Sequence, residues 1–88
     1  MNEPNSIDQE HAANSKGPGD QLQAARISMG LTLDDVASKM HLSTAILSHL
    51  EANRFDEIGA PIFVKGYLRS FARIVDLDEE QILERYSK

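Results

Sequence analysis

No cysteine occurs among the 88 residues, which excludes disulfides and thiolate metal sites and fits a reducing compartment, the cytoplasm by default. Long apolar runs are missing as well. Stretches such as 61–64 fall far short of the roughly 20 residues a membrane helix needs, and the polar, acidic N-terminus has no signal-peptide character. Positive charge is scarce, with 9 Lys and Arg against 14 Asp and Glu and a net charge of -5. A duplex binder relies on Lys and Arg to release counterions from phosphates, so this balance weighs against DNA while leaving room for a local basic face. The three histidines, His11, His41 and His49, have no spacing that would gather them around a metal. No glycine-rich strand-to-helix loop is present to cradle phosphate, and Ser, His and Asp occur without an orienting pattern. The expectation is a protein that is not an enzyme, with no catalytic residue, no cofactor and no metal.

What the chain does contain is helical punctuation. An apolar fraction of 41% suits one small globular domain, of modest stability because so short a chain buries only about 60% of its unfolded surface. Residues 1–18 are polar, with Ile7 as the one large apolar side chain after Met1 and Lys16 as the one base, and read as a flexible arm. The folded domain is then 19–88. From Asp20, Leu22, Ala25 and Met29 recur at helical spacing until Gly30, placed as a left-handed C-terminal cap. Thr32 and Asp35 resemble a capping box ahead of Leu33, Val36, Ala37 and Met40. His41 and Leu42 form a short connection, Ser43 can cap a third helix carrying Ile46, Leu47 and Leu50, and that helix ends near Asn53. Two short helices joined by so tight a turn form a helix-turn-helix. In the loop 55–60, Phe55 and Ile58 are expected to plug the core while Gly59 allows the turn. Pro61 opens a fourth helix, on which Phe63, Val64, Tyr67, Leu68, Phe71, Ile74 and Val75 share one broad face and Lys65, Arg69 and Arg73 another. Asp78 with Gln81 marks a fifth helix that packs back through Ile82, Leu83 and Tyr86.

The run Leu22, Arg26, Gly30, Thr32, Val36, Ala37, Leu42, Ser43, Leu47, Leu50 and Glu51 resembles the Cro/C1 repressor (Xre) helix-turn-helix family. The resemblance implies an all-α, five-helix, lambda repressor-like fold, with Arg26 and Glu51 as an ion pair that fixes helix one against helix three. The string Pro61-Ile62-Phe63-Val64-Lys65-Gly66-Tyr67-Leu68-Arg69-Ser70-Phe71-Ala72-Arg73, followed by Leu77-Asp78-Glu79-Glu80, resembles more narrowly the N-terminal cytoplasmic domain of RodZ-type bacterial cell-shape proteins. That likeness runs from about residue 20 to 86. It implies an adaptor that binds the actin-like filament protein MreB through helix four, by Phe63 and Tyr67 ringed by Lys65 and Arg69. It also implies a place at the inner face of the bacterial inner membrane, through a membrane helix downstream. From periodicity alone, Phe63 and Tyr67 fit core and interface equally.

The alternative is a DNA-binding regulator of the Xre family. Positions that touch DNA in such modules correspond to Leu33, Ser43, Thr44, Ala45 and His49, and these make a poor reading head. Leu33 cannot donate to a phosphate, Ala45 offers a methyl group, and helix three has no Lys or Arg before Arg54. Ile46 stands where a groove-facing residue would be polar. The ridge Lys65, Arg69, Arg73 would support weak, salt-sensitive, sequence-indifferent binding.

Overall fold

The structure, a computed structural model, describes residues 17–87. The arm expected at the N-terminus lies, over 1–16 and with His11, outside the described residues, as does Lys88. Among the described residues five α-helices follow one another: α1 (Pro18–Ser28), α2 (Leu33–Met40), α3 (Thr44–Glu51), α4 (Pro61–Ile74) and α5 (Glu79–Ser87), with a 3-10 turn at Phe55–Glu57 between α3 and α4. The all-α, five-helix architecture is the expected one.

Local chemistry accounts for the boundaries. Pro18 occupies the first turn of α1, where its missing N–H is harmless, and the helix starts two residues ahead of Asp20. A domain edge drawn after Pro18 would therefore cut this turn, in which Pro18 and Gly19 are buried. At the other end Gly30 takes a φ of 73°, the left-handed geometry that stops a helix cheaply only at glycine. The capping box forms in full: Thr32 Oγ1 accepts from the Asp35 amide at 3.0 Å, and Asp35 Oδ2 accepts from the Thr32 amide at 2.8 Å. His41 makes the left-handed turn after α2 at φ 59°, and Ser43 Oγ accepts from the Ile46 amide to cap α3. Helix α3 stops at Glu51, two residues short of Asn53. Before α5, Asp78 Oδ1 accepts from the amides of Glu80 and Gln81 at 2.8 and 3.3 Å, which is the Asp78 half of the expected cap.

The core collects Leu22 from α1, Val36 and Ala37 from α2, Leu47 and Leu50 from α3, Val64, Leu68, Phe71 and Ala72 from α4, and Ile82 from α5. Phe71 is its largest fully buried side chain. Phe55 and Ile58 pack against this cluster as plugs, and Phe55 meets Tyr86 edge-on with ring centroids 5.0 Å apart, which ties the end of α5 to the 3-10 turn. Two apolar residues depart from the expected pattern. Met29 is exposed, because it has already left α1 as its C-cap. Ile46 is half-buried and packs on the core, so its apolar character belongs to the fold and says nothing about a groove.

Candidate interaction surface

The exposed side of the helix-turn-helix is small and neutral. Ser43, Thr44 and Ala45 are exposed at the start of α3, where the sequence placed them. His49 and Leu33 correct the expectation. Leu33 packs against the core, and His49 is half-buried with its Nδ1 enclosed and without a hydrogen-bond partner. His49 stands beside the buried Leu50 and Glu51, in the last turn of α3, which packs against α1. Helix α3 itself contains no Lys or Arg. Phosphate contacts come mainly from such groups, so this face can offer little beyond hydroxyls and one amide-rich helix end.

Behind that face the orientation of α1 against α3 is fixed at two points. Arg26 Nε donates to Glu51 Oε2 at 2.6 Å, its Nη2 donates to Oε1 at 3.2 Å, and Nη1 donates to the Leu31 carbonyl at 2.9 Å. This is the pair implied by the family resemblance, and it is nearly enclosed. The carboxylate holds the Arg26 pKa above its ordinary value through the hydrogen bond first and the Coulombic attraction second, against desolvation. The second point was not legible beforehand. Asn53, with φ 60°, accepts from the Gly19 amide through Oδ1 and donates to Asp20 Oδ1 through Nδ2, both at 2.8 Å. Gly19 lies so close to α3 that a Cβ there would overlap the backbone oxygens of Leu50 and Glu51. The available signal was an Asn just past a helix end, a position that favours left-handed geometry. Its partner lies 34 residues away, beyond the reach of any local pattern.

The outer face of α4 is a different surface. Val64, Leu68, Phe71 and Ala72 face inward, and at 100° per residue Ile62, Lys65, Gly66, Arg69 and Arg73 then point outward. Ile62 is 75% exposed and Phe63 58% exposed, so an isoleucine and a phenylalanine stand in solvent side by side on the first turn. Tyr67 is half-buried against the core. Phe63 thus belongs to the surface, Tyr67 bridges surface and core, and Ile62 was missed because a residue beside the opening Pro61 was not counted in either face.

The basic ridge is not free-standing. Arg73 makes a bidentate pair with Glu79, at 2.9 and 3.2 Å, and Arg69 lies 3.8 Å from Glu79 and 3.6 Å from Glu80. The Arg73 hydrogen bond lowers the Glu79 pKa, and Glu79 in turn raises that of Arg73. Much of the positive charge expected on α4 is therefore compensated by α5, across the turn that joins the two helices. Lys65 is exposed one turn after Ile62. Among the described residues no group of His, Cys, Asp or Glu could hold a metal ion, and no helix is long and apolar enough to cross a membrane.

These features define a helix-turn-helix module. Residues 21–82 match the helix-turn-helix domain family, and the chain belongs to it. Within that class its likeness is to the RodZ type. The cytoskeleton protein RodZ of Streptococcus pneumoniae is 34% identical over 68 residues, covering 77% of this chain and 25% of that protein. An uncharacterised protein of Haemophilus influenzae is 41% identical over 63 residues, covering 70% of the chain and 21% of that protein. The chain thus spans about a quarter or less of the length of these relatives. Among solved structures, YmfM of Staphylococcus aureus, proposed to be a DNA-binding membrane protein, matches with a TM-score of 0.75 at 25% identity, covering 82% of this chain and 88% of that one.

Proposed function

We propose that this domain is the adaptor of a RodZ-type cell-shape protein and docks on the actin-like filament protein MreB through the outer face of α4. The observation that carries the reading is the exposed pair Ile62–Phe63, at 75% and 58%. Large apolar side chains left in water on a rigid helix turn are the composition of an interface centre, and Lys65 and Arg69 supply a polar rim. Tyr67 continues the same edge one turn on. In the full-length protein the domain is held at the inner face of the bacterial inner membrane by a segment downstream, so that filament and membrane are linked through it.

Phe63→Ala separates an interface role from a core role. A side chain this exposed contributes little to the fold, so the variant keeps its helical circular dichroism and its unfolding free energy to within about 0.5 kcal/mol. Co-sedimentation with polymerised MreB should nonetheless fall to background. Unchanged pelleting of the variant would remove α4 as the contact, and failure of the unsubstituted chain to pellet would remove the adaptor reading.

A second reading, duplex binding through Ser43, Thr44 and the start of α3, is favoured by the likeness to YmfM. It is opposed by the lack of Lys or Arg on α3 and by the compensation of Arg69 and Arg73. A gel-shift assay at physiological salt, run beside the sedimentation, distinguishes the two: a sequence-selective shift without pelleting supports the DNA reading.

A further inference from the structure

Gly66 lies in the interior of a 14-residue helix, on its solvent side. Glycine there destabilises a helix relative to alanine, because it has more backbone freedom to lose and no side chain to pack. Nothing among the described residues accounts for it. A Cβ built at Gly66 meets no atom within 4 Å, and its φ lies outside the left-handed range that glycine serves at Gly30. Contrast Gly19, where α3 leaves no room for a methyl group. The fold requires one glycine and is indifferent to the other.

The neighbours of Gly66 give the vacancy a use. At helical spacing, Ile62 and Phe63 lie four and three residues before it and Ser70 four after, so the bare backbone lies directly beyond the two most exposed apolar side chains of α4. A protein surface that covers Ile62 and Phe63 must pass over Gly66. Without a Cβ it can come into van der Waals contact with the helix backbone, while exposed Lys65 flanks it with positive charge. We propose that Gly66 determines specificity at the α4 interface: it is the point of close approach, where the filament subunit packs against the helix backbone. This rests on the adaptor reading above, and its occupant is the same MreB-type partner.

The test is Gly66→Ala beside Phe63→Ala, each made in the whole 88-residue chain and assayed by urea unfolding and by co-sedimentation with polymerised MreB. Gly66→Ala is expected to raise the unfolding midpoint, since the methyl group enters open space, yet to weaken pelleting by about tenfold or more through a clash at the contact. Gly66→Leu should weaken it further. A more stable domain that binds less well is the opposite of what a purely structural role would give. If Gly66→Ala pellets like the unsubstituted chain while Phe63→Ala does not, the close-approach role is overturned and the α4 interface stands. If the unsubstituted chain does not pellet, the inference falls together with the reading beneath it.

Discussion

Replacing Glu51 by Ala should remove more than half of the domain's stability. The side chains of Arg26 and Glu51 keep only 13% and 6% of their accessibility, so removing the carboxylate leaves a guanidinium with little water to replace it. Breaking such a pair from one side costs about 3–5 kcal/mol. Arg26 still reaches the Leu31 carbonyl at 2.9 Å, which places the expected loss near the lower end, about 3 kcal/mol. With a urea dependence of about 1 kcal/mol per molar for a small domain, the midpoint should drop by about 3 M. Total stability near the low end of the usual range, about 5 kcal/mol, would leave little in reserve. The assay is urea unfolding followed by circular dichroism, extended to a cycle of Arg26→Met, Glu51→Leu and the double variant Arg26→Met/Glu51→Leu. The double variant should recover part of the loss, with a coupling of about 2 kcal/mol, because two apolar side chains can share the space that one stranded charge cannot. A loss below about 1 kcal/mol for Glu51→Ala, the range of exposed surface pairs, would refute the claim that this contact orients α1 on α3.

Two further outcomes follow from the same frame. Gly19→Ala should cost more than Gly30→Ala, since the first drives a methyl group into backbone oxygens of α3 and the second meets only the strain of a left-handed residue, about 1–2 kcal/mol; equal unfolding midpoints would deny the close crossing. Acid should weaken the fold through Asp35 and Glu79, whose pKa values are lowered first by hydrogen bonds from the Thr32 backbone and from Arg73 respectively. A depressed folded-state pKa contributes stability above the unfolded value, about 4, and that contribution is lost as pH falls through the folded value. Unfolding midpoints measured from about pH 6 to pH 3 should therefore decline less steeply in Asp35→Asn and Glu79→Gln, and parallel declines in all three proteins would contradict the assignment.

The legible features were those whose cause lies within a few residues. Thr32 with Asp35, Gly30, Ser43 and Pro61 each act on backbone groups one turn away, so composition and spacing suffice to place α1 to α4. Arg26 and Glu51 came from resemblance to a family, and the fold brings them together across 25 residues. Where the reading failed, the missing information was the angle between helices. Pairing of Arg69 and Arg73 with Glu79 and Glu80 depends on how sharply α5 turns back on α4. The half-buried positions of His49 and Ile46 depend on how deeply α3 is set. Asn53 needed both a left-handed backbone and knowledge that the start of α1 passes beneath it. Ile62 shows a different gap, since the first turn of a helix has no preceding turn from which to judge its face.

The edge-on meeting of Phe55 and Tyr86 has a practical consequence for watching this molecule. With no tryptophan and only two tyrosines in the sequence, near-ultraviolet optical signals come from very few rings, and Tyr86 has its asymmetric surroundings from Phe55 alone among the aromatic residues described. Detachment of the last helix would therefore dim the tyrosine bands while far-ultraviolet helicity stayed high. Recorded together, the two spectra would reveal whether the end of the chain lets go before the rest.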